Sequence, residues 1–379
     1  LLGDELDGPR GRIYLMKQVL EGEKPTRKTQ MHLDRCLTCR NCESTCPSGV
    51  QYGHLLDIGR KIVDAKVPRP TPEKALRWAL KEGLPSPLFA PAMKMGQAVR
   101  GLLPAALQAK VPAKQEAGAW PTRSHARKVL MLAGCVQPSM MPNINAATAR
   151  VLDAAGIQTV IAPKAGCCGA VKFHLNDQDG GRAEMRANID AWWPMIASGE
   201  VEALVMNASG CGVTVREYGH FLKDEPAYAA KAQRIGELTR DLSELLPAIV
   251  AALRQSRPER VPGPPAGYAG AGRHLAFHPP CSLQHGQQLR GGVEQHLAAF
   301  GFKVQVARSE SHLCCGSAGT YSVLNPDLSH QLRDRKLGHL GELEPDVIVS
   351  ANIGCITHLQ SGTPTPVRHW VEVLDEHLR

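Results

Sequence analysis

The chain has 379 residues, 43% of them hydrophobic but only 4% aromatic, with 36 Gly, 28 Pro, 12 Cys and a formal charge of +8. That length accommodates two or three domains, and no apolar run reaches the ~18 residues that a membrane-spanning helix needs. The positive balance is weak support for a nucleic-acid partner, because no aromatic-interleaved basic patch or helix-turn-helix pattern accompanies it. Cysteines in C-x-x-C and Cys-Cys groupings read as metal ligands in a reducing compartment rather than as disulfides, so a soluble protein on the cytoplasmic side is expected.

Residues 1–66 are predicted to be mostly helical. Asp7-Gly8-Pro9-Arg10-Gly11-Arg12 reads as a turn leading into a helix over 13–20, where Ile13, Met16, Val19 and Leu20 keep helical spacing. Its two arginines fit either a solvated basic turn or a counter-charge for a nearby anionic group. Cys36-Leu37-Thr38-Cys39-Arg40-Asn41-Cys42-Glu43-Ser44-Thr45-Cys46-Pro47 follows. It is C-x₂-C-x₂-C-x₃-C-P, the run that wraps a [4Fe–4S] cluster in bacterial-type ferredoxins. Cys36, Cys39 and Cys42 are assigned to one cluster and Cys46 to its neighbour, as the fourth Cys is used in two-cluster ferredoxins. A zinc knuckle fits less well, since zinc sites usually pair two C-x₂-C units. Each of the two clusters then lacks ligands, and no Cys precedes Cys36; a twin motif is expected upstream of Leu1. Four-thiolate clusters of about −2 each would offset most of the formal charge. After Pro47, Leu55, Leu56, Ile58, Ile62 and Val63 predict a second helix beside the cluster loop.

Residues 67–122 read as a Pro-rich linker of short helices. Leu88, Phe89, Met93, Met95, Val99, Leu102, Leu103 and Leu107 are interrupted by Pro91, Pro104 and Pro112 and interleaved with Lys94, Arg100, Lys110 and Lys114. Basic amphipathic segments lie on membrane surfaces, but packing on the protein's own domains is the favoured reading.

The rest is an internal repeat, with copies at 123–256 and 273–379 and a Pro/Gly-rich linker at 257–272. Copy one runs from the strand Lys128-Val129-Leu130-Met131-Leu132-Ala133-Gly134 to Cys135. Gln158-Thr159-Val160-Ile161 then precedes Cys167-Cys168-Gly169, and Ala203-Leu204-Val205-Met206-Asn207 precedes Cys211. Copy two repeats the order: His274-Leu275-Ala276-Phe277-His278 to Cys281, Phe302-Lys303-Val304-Gln305-Val306 to Cys314-Cys315-Gly316, Asp346-Val347-Ile348-Val349-Ser350 to Cys355. The first Cys and the pair are separated by 31 and 32 residues, the pair and the last Cys by 42 and 39. Strands alternating with helices imply Rossmann-like parallel βαβ units, whose strand C-termini converge on one ligand-binding edge. The fold class is therefore α/β: a mainly helical ferredoxin-like [4Fe–4S] domain, then two repeated cysteine-rich domains.

Vicinal Cα atoms lie about 3.8 Å apart, short of the roughly 4.4–6.8 Å of ordinary disulfides. Cys167–Cys168 and Cys314–Cys315 are therefore expected as ligands, each followed by a Gly that can take positive φ. Cys135, Cys167, Cys168 and Cys211 form one candidate site, and Cys281, Cys314, Cys315 and Cys355 another. Buried thiols can be mere small hydrophobes, but hardly twice in register. No flavin or NAD site is evident, since Gly270 and Gly272 follow no strand and read as linker; no catalytic residue is expected in this chain.

The repeat resembles the cysteine-rich CCG domains of heterodisulfide reductase subunits and of flavin-linked dehydrogenase relatives. That pattern ends in C-x-x-C, whereas here Cys211-Gly212-Val213-Thr214 and Cys355-Ile356-Thr357-His358 keep only the first Cys. Four thiols in each copy would then hold an ordinary cluster, giving one or two further iron–sulfur clusters, with His358 a possible additional ligand at the fifth position. With Asp4-Glu5-Leu6-Asp7-Gly8-Pro9-Arg10-Gly11-Arg12-Ile13-Tyr14-Leu15 and the Cys36–Pro47 run, nearly the whole chain is similar to the iron–sulfur subunit family of bacterial glycolate oxidases. The resemblance implies FAD-binding partner subunits that oxidise glycolate to glyoxylate. Electrons would leave toward a quinone, from a cytoplasmic subunit peripheral on the inner membrane, and a first ferredoxin motif would precede Leu1. A lactate, glycerol-3-phosphate or heterodisulfide-reductase relay subunit is the alternative, and a zinc-stabilised scaffold a more distant one.

Overall fold

The computed structural model describes residues 1–108, 110–264 and 273–379; the Gly270 and Gly272 part of the expected linker lies outside them. Two four-stranded, all-parallel sheets dominate the chain. In copy one, β1 (Arg127–Met131), β2 (Ile157–Val160), β3 (Ala203–Met206) and β4 (Thr239–Asp241) lie in the order β2-β1-β3-β4. In copy two, β5 (His274–Phe277), β6 (Lys303–Val306), β7 (Val347–Ser350) and β8 (Val367–His369) lie in the order β6-β5-β7-β8. Val129 pairs with Thr159 on one side and Ala203 on the other; Ala276 likewise pairs with Gln305 and Ile348.

The central strands are buried on both faces, as parallel sheets require, with Val129, Leu130, Met131, Leu275, Ala276 and Val349 all fully enclosed. The edge strands β4 and β8 escape sequence reading. Each is three residues long and carries an arginine, Thr-Arg-Asp and Val-Arg-His, so neither gives an apolar signal.

The halves exchange helices. The helix Trp370–Leu378 of copy two packs on Pro142–Ala154 of copy one, while Leu246–Ser256 of copy one packs on Gly292–Ala299 of copy two. Arg150 makes a bidentate pair with Asp375, Nε to Oδ1 2.9 Å and Nη2 to Oδ2 2.8 Å, and half-buried Asn143 donates to the Glu372 carboxylate. One hydrophobic core, including Val129, Val205, Leu275, Phe277 and Val349, runs through both halves.

Ahead of the repeat, helices Pro9–Leu20, Arg27–Asp34 and Tyr52–Lys66 enclose Met16, Val19, Leu33, Tyr52, Leu56 and Val63, with Cys36 and Cys42 against that core. The expected turn at Pro9–Arg12 is the first turn of a helix, with Pro at its start, where its missing N–H costs nothing. Arg10 is exposed and faces Glu5. Arg12 is buried, donating to the His32 carbonyl at 2.7 Å. Short helices, including Thr71–Gly83 and Phe89–Ala98, occupy the Pro-rich stretch. No helix among the described residues is long and apolar enough to cross a membrane.

Candidate metal centres

In each half the strand order reverses between the first and third strands, the switch point at which open α/β sheets bind ligands. Cys135 follows β1, the Cys167–Cys168 pair follows β2, and Cys211 lies in the helix Ser209–Arg216 after β3. Cys281, Cys314–Cys315 and Cys355 repeat these places after β5, β6 and β7. All twelve cysteines are free thiols, and Cys167, Cys168, Cys314, Cys315 and Cys355 are buried.

The four thiols of each half converge. In copy one, Cys135 and Cys168 hydrogen-bond to the Cys167 sulfur and hold its pKa well below the usual thiol value, while Cys168 also meets Cys211. In copy two, Cys281 lies 3.8 Å from Cys314, sulfur to sulfur. Cys281 and Cys315 hold Cys314 low, and Cys315 in turn bonds Cys355, whose pKa falls to about 6. The first Cys of each vicinal pair is thus the readiest thiolate, the form that binds metal. Gly169 and Gly316 sit at φ +92° and +89°, and the Gly316 N–H points at the Cys314 sulfur at 3.4 Å.

Second-layer groups fix these pairs. Asn188 donates to the Cys167 carbonyl at 2.6 Å and accepts from the Gly166 N–H at 2.8 Å; the Tyr218 hydroxyl donates to the Cys168 carbonyl at 2.9 Å. In copy two, Ser329 donates to the Gly316 carbonyl at 2.8 Å. The environments differ in charge. Glu184 borders Cys167, and burial with that thiolate pushes its carboxyl up to about 8. Copy two instead has Lys336, 1% exposed, tied to the Glu310 carbonyl at 2.5 Å and acting on Cys315 and Cys314.

In the N-terminal run, Cys36, Cys39 and Cys42 come together, and their charges act on one another. Thr38 and Arg40 take φ +54° and +60°, coiling the loop so that amides face sulfur; the Thr38 N–H lies 3.4 Å from Cys36. Burial pushes Cys39 up to about 12 and Cys42 up to about 11, so these thiols call for a metal to draw off their protons. Cys46 stands apart, its thiol lowered by the N–H groups of Val50, Ser48 and Gly49. Buried Arg60 braces the loop, donating to the Leu33 and Cys36 carbonyls at 2.8 Å each. Its place on the apolar stripe with Leu56 and Val63 was the available sequence signal.

His358 is set apart from the thiols. Its Nε2 meets the Ser329 hydroxyl at 2.9 Å and its ring stacks on His330. The helix Ile353–Gln360 turns it toward Pro326–Gly341, so it supports Ser329 and, through it, Gly316. Beside Cys315 and Cys355 stands His278, the donor atoms of all three lying within 4.8 Å of one another. Sequence reading passed over it as the last residue of a strand.

The halves meet at these edges. Ser209 bonds Ser282 at 2.8 Å, and the Ser209 N–H reaches the Ala351 carbonyl at 3.1 Å. The cluster loop joins both: Arg40 pairs with Glu217 of copy one at 2.6 Å, and Ser44 bonds His285 of copy two at 2.9 Å. Cys39 acts electrostatically on Cys314 and Cys281, and buried Tyr321 is flanked by Cys36 and Cys314.

Two Rossmann-like halves with a thiol quartet at each switch point define a double cysteine-rich-domain protein, and the cysteine-rich (CCG) domain family matches residues 129–216 and 275–360. The chain is 53% identical to the glycolate oxidase iron-sulfur subunit of Escherichia coli (strain K12), over 100% of this chain and 90% of that protein. It is 29% identical to a probable glycolate oxidase iron-sulfur subunit of Bacillus subtilis (strain 168), over 94% of this chain and 84% of that one. Lactate utilization protein A of Bacillus licheniformis matches at 25% over 65% of this chain and 99% of its own length. The chain belongs to the glycolate oxidase iron–sulfur subunit family.

The donor sets fit iron–sulfur clusters: free thiols converging in threes and fours, with backbone N–H groups aimed at sulfur. When bound, such clusters accept and release single electrons. The chain's own residues hold the thiolates, direct amide hydrogens at them, and bury both vicinal pairs and Cys355.

Proposed function

We propose that this chain relays single electrons within a flavin-dependent complex that oxidises glycolate to glyoxylate, passing them toward a quinone. Cys36, Cys39 and Cys42 are the ligands of one [4Fe–4S] cluster and Cys46 one ligand of its neighbour, the remaining ligands coming from a twin motif upstream of Leu1. Cys135, Cys167, Cys168 and Cys211 hold a further cluster, and Cys281, Cys314, Cys315 and Cys355 another. The observation that carries the reading is the approach of Cys39 to Cys314 and Cys281 across one buried junction. Centres whose ligands feel each other's charge form a wire; a scaffold has no use for that proximity. The FAD subunits supply the hydride chemistry, for which the described residues offer no Gly-rich phosphate loop after a strand.

Docking on the inner membrane draws support from the surface. Every exposed large apolar side chain among the described residues falls between Leu1 and Trp120, including Trp78, Leu88, Met95 and Leu102. The two repeats contribute none.

The test is anaerobic purification of the complete complex, iron and sulfide determination, and turnover with glycolate, lactate and glycerol 3-phosphate in turn. Brown protein with bound iron and preferential glycolate turnover is expected. Colourless protein holding zinc would overturn the relay, and turnover with lactate alone would transfer the chain to the lactate system.

A further inference from the structure

We propose that His278 is a nitrogen ligand of the metal centre in copy two, making that centre a mixed histidine–cysteine site while copy one remains thiolate only. The proposal rests on the iron–sulfur reading of the two quartets and adds a donor to one of them.

His278 is 1% exposed, and neither ring nitrogen meets a nitrogen or oxygen partner among the described residues; the ring faces the Cys355 sulfur and helps hold that thiol's pKa down. Burying an imidazole away from water and from other nitrogen or oxygen groups costs free energy, and here only the thiols of the donor set stand against it. The ring lies against the donor set itself, with its nitrogen and the Cys315 and Cys355 sulfurs all within 4.8 Å of each other. Histidine and thiolate together suit iron and zinc alike.

The backbone is locked. The His278 N–H donates to the Val349 carbonyl at 2.8 Å, and the Ser350 hydroxyl donates to the His278 carbonyl at 2.9 Å. The residue therefore belongs to the end of the sheet, and its side chain is placed by β5 and β7 rather than by a mobile loop.

Copy one supplies the internal control. Leu132 stands three residues before Cys135, as His278 stands three before Cys281. Its N–H reaches the Val205 carbonyl at 3.4 Å, the matching bond to the matching strand. The same backbone position carries an apolar side chain in one half and an imidazole facing two thiols in the other. Ordinary core packing explains Leu132 but leaves His278 without a reason.

A neutral imidazole adds a donor to the four thiols without the negative charge that a further thiolate would bring. No acceptor among the described residues takes the second ring nitrogen, so nothing strengthens the ligand from behind. The copy-two centre is accordingly expected to sit at a different potential from the copy-one centre.

The experiment is pulsed paramagnetic resonance on the reduced, complete complex grown with ¹⁵N-histidine, compared with unlabelled protein and with His278→Leu, which installs the copy-one residue. One cluster of the wild type should show a strongly coupled histidine nitrogen that changes with the label. The coupling should vanish in His278→Leu, with the potential of that cluster shifted or its iron lost. Iron-loaded wild type without such a coupling, or a coupling that survives His278→Leu, overturns the assignment; the wild-type spectrum alone decides if the variant fails to fold. Complex devoid of iron, with or without zinc in its place, would overturn the iron–sulfur reading, and with it this ligand.

Discussion

Replacing Gly316 by Ala puts the most direct strain on a candidate centre. At φ +89° a side chain costs about 1–2 kcal/mol in backbone conformation. The new Cβ would also stand 2.4 Å from the Ser329 carbonyl oxygen and 3.0 Å from Leu332 Cβ, so the helix Pro326–Gly341 must move. Such overpacking adds roughly 1–3 kcal/mol, for a total of about 2–5 kcal/mol. The displacement falls on the carbonyl that Ser329 holds and on the amide aimed at Cys314. Gly292→Ala is the control: nothing lies within 4 Å of its Cβ, and Ala favours the helix it opens. Urea unfolding midpoints and iron content, measured on both variants in the complete complex, form the assay. Gly316→Ala should unfold at lower urea and lose the copy-two iron, while Gly292→Ala should match or slightly exceed the wild type. An unchanged midpoint with full iron in Gly316→Ala would refute the reasoning from the glycine to the site.

Three further outcomes follow from contacts described above. Burial pushes the Glu217 carboxyl up, but His54 and Arg40 outweigh it and leave the pKa below its usual 4.5. That contact therefore stabilises the junction above the unfolded value and is lost as pH falls through the folded one. Limited proteolysis between the cluster loop and copy one should accelerate on acidification, and Glu217→Gln, weakening the junction by roughly 1–3 kcal/mol, should remove most of that pH dependence. His358→Ala should keep its iron and lose about 1–2 kcal/mol of stability through Ser329, whereas loss of cluster signals with an unchanged urea midpoint would reinstate His358 as a ligand. Leu88→Glu with Leu102→Glu, both on exposed positions, should weaken flotation with anionic vesicles several-fold and leave iron content unaltered.

The repeat was legible because its two signals are local: strands four or five residues long rich in β-branched and apolar residues, and cysteines at fixed distances behind them. β4 and β8 were hidden because three-residue edge strands bearing arginine carry no periodicity, and only pairing to β3 and β7 makes them strands. The helix Arg27–Asp34 was missed for a related reason: its exposed face is highly polar, and its start is set by the Thr26 cap and Thr29 rather than by an apolar run. Cysteine positions told which thiols gather, since strand ends converge in any parallel sheet. They did not tell that Arg60, Asn188, Tyr218 and Ser329 would hold the loops, because those contacts join segments distant in sequence. His358 was expected from spacing alone; helix rotation, which spacing does not report, placed its ring against Ser329.

The crossed helices at the centre of the molecule have a historical corollary. Trp370–Leu378 covering Pro142–Ala154, and Leu246–Ser256 covering Gly292–Ala299, is the pattern of a two-fold dimer whose protomers have been spliced into one gene. In such a dimer any mutation is expressed twice, so a residue that improves one pocket is forced on the other. Splicing lifts that constraint while the shared core still enforces a common shape. Each descendant pocket can then drift to its own electrochemistry without the partner having to follow.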